Sequence, residues 1–212
     1  MPVHQHARPP FNERLARWVA ASSSEGERND SSVVPGLGLH QVTAGGLRGA
    51  LRELSGIWPE PSATLMRRHT AQWIETGMDF GEVLLPIGGA RRAVQVGITG
   101  WYPVPGTPEV VGLRWHGILP SWRGRGLSRI VLRLLARRLA HLAPEARWIC
   151  DTVLPGSEAA RRHFEALGFV EAPPDRAAAL IAAAEMPDDA MPLLGDLQDL
   201  AAYDFPTREE QP

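Results

Sequence analysis

A single cysteine, Cys150, stands in a chain of 212 residues. One thiol excludes an internal disulfide and any cysteine-built metal cluster. It sits in the apolar stretch from Trp148 to Val153, where a buried space-filling thiol is the plain reading. Long apolar runs are lacking as well. No stretch is long enough to span a bilayer, and the polar, proline-bearing N-terminus has no apolar h-region. A cytoplasmic protein with no membrane partner is the resulting expectation. Neither sign of charge is in excess: the formal net charge of −2 gives no general attraction to nucleic acid or anionic lipid. There is no G-x-x-x-x-G-K-[ST] cradle for a nucleoside triphosphate, and no G-x-G-x-x-G follows a first strand. No acidic cluster suited to a polyamine stands out, and there is no internal repeat.

The chain does carry enough apolar residues, 44% of the total, for one domain with extensions. Residues 1–36 read as an N-terminal extension, with a short helix from Phe11 to Ala21 and a Ser-rich linker from Ser22 to Ser32. Residues 37–173 read as the main domain. Apolar residues at helical spacing run from Leu47 to Ile57 and from Pro61 to Thr76, where Leu65, His69, Trp73 and Ile74 share a face. Strands are predicted for 82–86, 93–101 and 109–119. A helix follows over 127–142, burying Leu127, Ile130, Val131, Leu134, Leu135 and Leu142, with Arg129, Arg133 and Arg137 on its solvated side. Then come a strand at 148–153, a helix from 157 and a strand opening at Phe169. Residues 174–212 form a C-terminal extension with an Ala-rich helix at 177–185, a strand at 190–194 that completes the sheet, and a disordered end from Thr207. The pattern predicts an α/β mixed sheet, antiparallel first and parallel where a helix crosses over, with helices on both faces.

The segment from Pro120 to Ser128, PSWRGRGLS, carries most of the functional information. It joins an apolar strand to an amphipathic helix through glycines. Small residues there let backbone N–H groups approach an anion at the positive helix end, and Arg123 and Arg125 add full charges. A diphosphate-bearing cofactor is implied. Downstream, Ser157 precedes a short helix as a cap, Ala160, Phe164 and Leu167 form its buried stripe, and Gly168 ends it.

With both segments in hand, the chain resembles the GNAT superfamily of acyl-CoA-dependent N-acetyltransferases. Ile118-Leu119-Pro120 followed by Arg123, Gly124, Arg125, Gly126, Leu127 and Ser128 matches the family's Q/R-x-x-G-x-G/A coenzyme loop after a V-x-P strand end. Ser157, Ala160, Phe164, Gly168 and Phe169 fall on its N-x-x-A-x-x-x-Y-x-x-x-G-F helix. The resemblance covers roughly residues 80 to 170. It implies a GNAT-type fold with a splayed central parallel pair, acetyl-CoA as acyl donor and no metal. It further implies direct attack by an amine in a ternary complex, with the backbone of residues 116 to 118 holding pantetheine. Ile118 and Leu119 then belong to the coenzyme site, and Ser157 and Phe164 flank its thiol arm. Many members pair as homodimers. Phe164 replaces the tyrosine that in many members protonates the departing thiolate, and a phenyl ring cannot donate that proton.

Acetyl transfer needs a proton acceptor for the amine. The family's usual base positions on the strand hold Gly112 and Arg114 here, neither of them a base. His116 shares their parity, hence their side of the strand unless a bulge intervenes, and is one candidate. Asp151, a carboxylate amid Ile149, Cys150 and Val153, is the other. Glu82, Trp101 and Tyr102 are candidates for contact with the acceptor, a small-molecule or peptide amine. Tyr102 is the one phenol in the recognised region. Two other readings remain at this stage. The arginines on two helices suit a nucleic-acid binder, although most lie where an amphipathic helix ordinarily keeps its charge. The residue missing at Phe164 suits an acyl-CoA-binding module without catalysis.

Overall fold

In the computed structural model, the described residues are 38–42, 57–58, 63–66, 68–69, 72, 79–86 and 93–202. The expected helix at 11–21, residues 47–56 of the one expected from Leu47 to Ile57, the linker at 22–32 and the C-terminal end from Thr207 lie outside them, and Ile57 itself is a bend packed in a core.

Alternation of apolar residues builds one seven-stranded sheet. Its strands are β1 (Gly38–Gln41), β2 (Asp79–Pro86), β3 (Ala93–Pro103), β4 (Val110–Ile118), β5 (Trp148–Val153), β6 (Val170–Glu171) and β7 (Met191–Asp196), in the spatial order β1-β2-β3-β4-β5-β7-β6. All neighbours are antiparallel except β4 and β5. Those two strands are joined by a right-length crossover helix, α1 (Leu127–Leu142), as parallel neighbours require. Three shorter helices follow: α2 (Glu158–Glu165), α3 (Pro174–Ala183) and α4 (Leu197–Ala202).

Two cores result, one on each face of the sheet. On the first, Leu127, Val131, Leu135 and Leu139 of α1 pack with Val111, Leu113, Ile149, Val153 and Phe164. On the second, Leu180 and Ala184 pack with Ile98, Tyr102, Val110, Cys150 and Leu194. Residues 63–66, 68, 69 and 72 are helical, and Met66 joins this second core. The mixed sheet with helices on both faces is thus the architecture the sequence predicts.

Several local expectations change. Arg133 is buried rather than solvated, and Leu134 and Leu142 are only partly buried. The helix α4, which the sequence analysis does not foresee, brings Leu197 and Leu200 into the α1 core, and Arg137 Nε donates to the Ala201 carbonyl at 3.4 Å. The last strand also lies inside the sheet, wedged between β5 and β6, so residues 191–196 are part of the same layer as the main domain.

Gly112 shows how closely the second face is built. A Cβ there would stand 2.0 Å from Cζ of Tyr102, whose ring is held from its other side by the Arg114 guanidinium, 4.6 Å from the ring centroid. Gly124 has nothing within 4 Å of its missing Cβ, only a φ of +75°. Gly112→Ala is therefore expected to cost about 1–3 kcal/mol through displaced packing. Gly124→Ala should cost about 1 kcal/mol through backbone strain alone. Denaturant unfolding of the two variants measures both, and an unchanged midpoint for Gly112→Ala would contradict the packing described.

Candidate functional site

Past the end of β4 the chain makes a single 3-10 turn, Pro120–Trp122, and enters α1 through two glycines in the left-handed region, Gly124 (φ 75°) and Gly126 (φ 71°). Gly126 is the N-cap and offers no side chain to the helix end. Among the described residues, the backbone N–H groups of Gly124, Arg125, Gly126, Leu127 and Ser128 enter none of the turn, loop or cap hydrogen bonds. Residues 123 to 126 are exposed at the end of the helix where its dipole is positive, while Leu127 is buried and Ser128 half-buried. The arrangement can hold an anion.

The two loop arginines are used differently. Arg123 Nε donates to the Ile118 carbonyl (3.0 Å) and its Nη2 to the Ile57 carbonyl (2.7 Å), so its guanidinium braces the loop against the strand. Arg125 lies over the Trp122 ring at 4.7 Å and is exposed. Leu127 points its side chain into the core, and Leu119 donates its N–H to the Val96 carbonyl.

Beside the loop, the sheet opens. β4 and β5 pair only at Val110–Trp148, Val111–Ile149 and Gly112–Cys150, although β4 runs on to Ile118 and β5 to Val153. Among the described residues, the β5-facing edge of β4 has no strand partner beyond Gly112. A bulge accompanies the divergence. Between Ile98 and Gly100 on β3, the partners on β4 jump from Gly117 to Arg114, and Trp115 takes a φ of +56°. A non-glycine residue in that region is uncommon and costs energy that the surrounding packing must hold in place.

That bulge places His116 on the other face from Arg114. Arg114 faces α3, where its Nη2 donates to the carbonyls of Ala183 (3.3 Å) and Ala184 at the negative helix end. His116 faces α1 and α2 instead. Its Nδ1 is 3.2 Å from Thr99 Oγ1 and its Nε2 is 2.6 Å from Ser128 Oγ, which lies in turn 2.7 Å from His163 Nε2. The shared parity expected from strand alternation fails because one extra residue is inserted. Burial pushes the His116 imidazole down to about 3, with His163 a lesser cause. It is neutral throughout the physiological range and already hydrogen-bonded at both nitrogens.

Asp151 follows Cys150, and thus stands just past the last parallel pair. Burial is the main cause that raises its carboxyl from 3.8 to about 7; the Thr152 backbone and Arg114 pull the other way. Tyr102 marks the same level on the opposite face, its ring against Gly112. Desolvation raises its phenol well above the ordinary value, so it remains a proton donor, and Asp151 contributes to that shift.

The other sequence candidates are placed as follows. Trp101 belongs to the α1 core and Tyr102 to the opposite core, so the two do not line one wall. Glu82 lies in β2 opposite Ile98 of β3; its side chain is outside the described residues. Ser157 precedes α2 but makes no side-chain cap; its carbonyl instead accepts from the N–H groups of Ala160 and Arg161. Phe164 is buried against Phe169, ring centroids 5.0 Å apart, and beside His163 at 5.4 Å. Gly168, at φ 87°, ends the helix as expected, and Phe169 donates its N–H back to the Phe164 carbonyl. Cys150 is buried, its thiol pushed up to about 12 mainly by desolvation, which makes it inert filler. Sequence reasoning missed Thr99 and His163. A polar residue on a short, charged helix reads as solvated, and no spacing rule ties position 163 to position 128.

No family model matches the chain, and no curated protein does. Solved structures do. An acetyltransferase of the GNAT family from Desulfovibrio desulfuricans is 15% identical, with a TM-score of 0.52 over 76% of this chain and 99% of that one. A GNAT-family acetyltransferase from Staphylococcus aureus is 10% identical, with a TM-score of 0.56 over 76% and 99%. The aminoglycoside acetyltransferase AAC(6')-Ib, solved with coenzyme A and kanamycin, is 18% identical, with a TM-score of 0.55 over 77% and 96%. The chain thus has the GNAT acetyltransferase fold. No helix among the described residues is long and apolar enough to cross a membrane.

The raised Asp151 carboxyl carries a stability consequence. Folded Asp151 holds its proton up to about 7, whereas an unfolded aspartate releases it near 3.8. The folded state therefore binds more protons between those values, and stability falls as pH rises through that window. Asp151→Asn is expected to raise the melting temperature, by an amount that grows from pH 4 to pH 7 and is constant above. A gain that is independent of pH would contradict the burial-driven shift.

Proposed function

We propose that the chain is an N-acyltransferase that moves an acetyl group from acetyl-CoA to a primary amine of a small molecule or peptide. The observation that carries this reading is the conjunction of two features in one GNAT fold. Free N–H donors open a helix beside exposed Arg125, and the edge of β4 next to them is unpaired beyond Gly112. The coenzyme's diphosphate would take the donors of Gly124 to Ser128, with Arg125 as the added charge. Its pantetheine arm would take the free strand edge near residues 116 to 118 as β5 would have done, with Ser157 and Phe164 on its far side. Solved neighbours support the same reading, since AAC(6')-Ib is described in complex with coenzyme A and kanamycin, an amine-bearing small molecule.

Asp151 is the better proton acceptor of the two candidates. A carboxyl near 7 is matched to neutral pH, whereas His116 is too weak a base and is bound at both ring nitrogens. The amine nitrogen attacks the thioester carbonyl, the C–N bond forms and the C–S bond breaks. The surplus nitrogen proton passes to Asp151, and the thiolate takes one from water. Glu82 is proposed to meet the acceptor, whereas Trp101 and Tyr102, buried in the cores on opposite faces of the sheet, are left to packing.

A screen of thiol release from acetyl-CoA against varied amines tests the activity. Asp151→Asn should lower kcat by about 10²–10⁴-fold and remove the acidic limb of the pH–rate profile near pH 7, leaving coenzyme affinity unchanged. Gly126→Glu should abolish coenzyme binding by placing a like charge among the donors. Burial of Phe164 where a phenol would be expected favours one second reading, an acyl-CoA-binding module without turnover. Binding without thiol release from any amine would select it.

A further inference from the structure

Ser128 Oγ lies between two imidazoles, 2.6 Å from His116 Nε2 and 2.7 Å from His163 Nε2. A hydroxyl has one proton, so it donates to one ring and accepts from the other. In one arrangement Thr99 donates to His116 Nδ1, His116 Nε2–H donates to Ser128, and Ser128 donates to His163. In the other, His163 Nε2–H donates to Ser128, Ser128 donates to His116 Nε2, and His116 Nδ1–H donates to Thr99. A neutral His163 permits either arrangement. A cationic His163 carries a proton on Nε2 and selects the second.

The rings differ in access. His163 is exposed on α2, while His116 lies between the sheet and the helices. The charged and titratable groups around His163 are Arg129 from α1, His116 from β4, and, on its own helix, Glu158, Arg162 and the Arg161–Glu165 pair. Arg129 Nη2 also donates to the Ala166 carbonyl at 2.8 Å, tying the start of α1 to the end of α2. Although the residue is exposed, partial desolvation of its ring, with Arg129 as a lesser cause, lowers His163 from its ordinary value and disfavours the cation. An anion on the Ser128 N–H would reverse that balance.

We infer that His163 is a coenzyme-positioning residue: the coenzyme's diphosphate draws a proton from solvent onto its ring, and the Ser128 hydroxyl transmits that charge state to the tautomer of His116. The inference rests on the coenzyme reading given above. His116 keeps one proton throughout and changes only the nitrogen that carries it, by exchange with water. Affinity then rises as pH falls through the range where His163 titrates.

Calorimetry with dephospho-coenzyme A tests this, because that ligand lacks the phosphomonoester that itself titrates near pH 6. Titrations at pH 5.5 to 8 in two buffers of different ionisation enthalpy report proton uptake. The intact protein should bind up to about tenfold more tightly at the acid end, as a one-unit rise in pKa on binding allows. It should also take up part of a proton near neutrality. His163→Gln should bind with the weaker, pH-independent affinity and take up none. Equal pH dependence in the two proteins overturns the inference. Nitrogen-15 spectra of the free protein give a second readout: the protonated nitrogen of His116 should change from Nε2 toward Nδ1 as His163 titrates, and Ser128→Ala should uncouple the two. A His116 tautomer indifferent to His163 also overturns it. Absence of dephospho-coenzyme A binding at every pH removes the coenzyme reading instead, and the spectra then decide the coupling alone.

Discussion

Three parallel pairs hold β4 against β5, and the proposed site lies immediately past the last of them. Once the strands part, the edge of β4 carries backbone groups without a strand partner, and such groups are costly to leave unmet away from water. A ligand with an extended, amide-bearing arm answers that need. The bulge at Trp115 helps keep the gap open by turning β4 out of simple alternation. Filling the gap by continued pairing would require straightening this bulge, which the T-shaped contact of Trp115 with Trp58 opposes.

The same physical cause acts on the two ionisable groups nearest the opening and sends them opposite ways. Desolvation disfavours charge, so it lowers an imidazole and raises a carboxyl. His116 becomes a fixed neutral hydrogen-bonding group, and Asp151 becomes a group that exchanges its proton near neutrality. One desolvating environment thus separates the two groups' protonation behaviour by the sign of their charged forms.

Periodicity made much of this legible. The apolar spacing of Leu127, Val131 and Leu135 predicts α1 with the bounds observed, and the apolar run at 148–153 predicts β5. The turn into α1 was legible because Gly124 and Gly126 both adopt a positive φ that glycine takes without strain. What escaped reading has specific reasons. A positive φ at Trp115 has no sequence signal, since tryptophan rarely adopts it, and the face of His116 depends on that one angle. Arg133 reads as surface charge because the helix that packs alongside, α4, is only six residues long and weakly patterned. The Ser128–His163 contact joins residues 35 apart in sequence, through a fold that neither residue announces.

The position of β7 bears on how the chain is made. This strand follows both β5 and β6 in the chain, yet it sits between them. Until residues 191–196 exist, β5 has an open outer edge, and β6, with two residues, has nothing to lean on. The half of the sheet bearing Asp151 therefore cannot close before residues 191–196 are made, and its contacts form between distant segments, which slows folding. An unfinished chain would offer β5 as a sticky edge to its neighbours. Nascent copies would then depend on chaperones, or on prompt completion, to escape clumping.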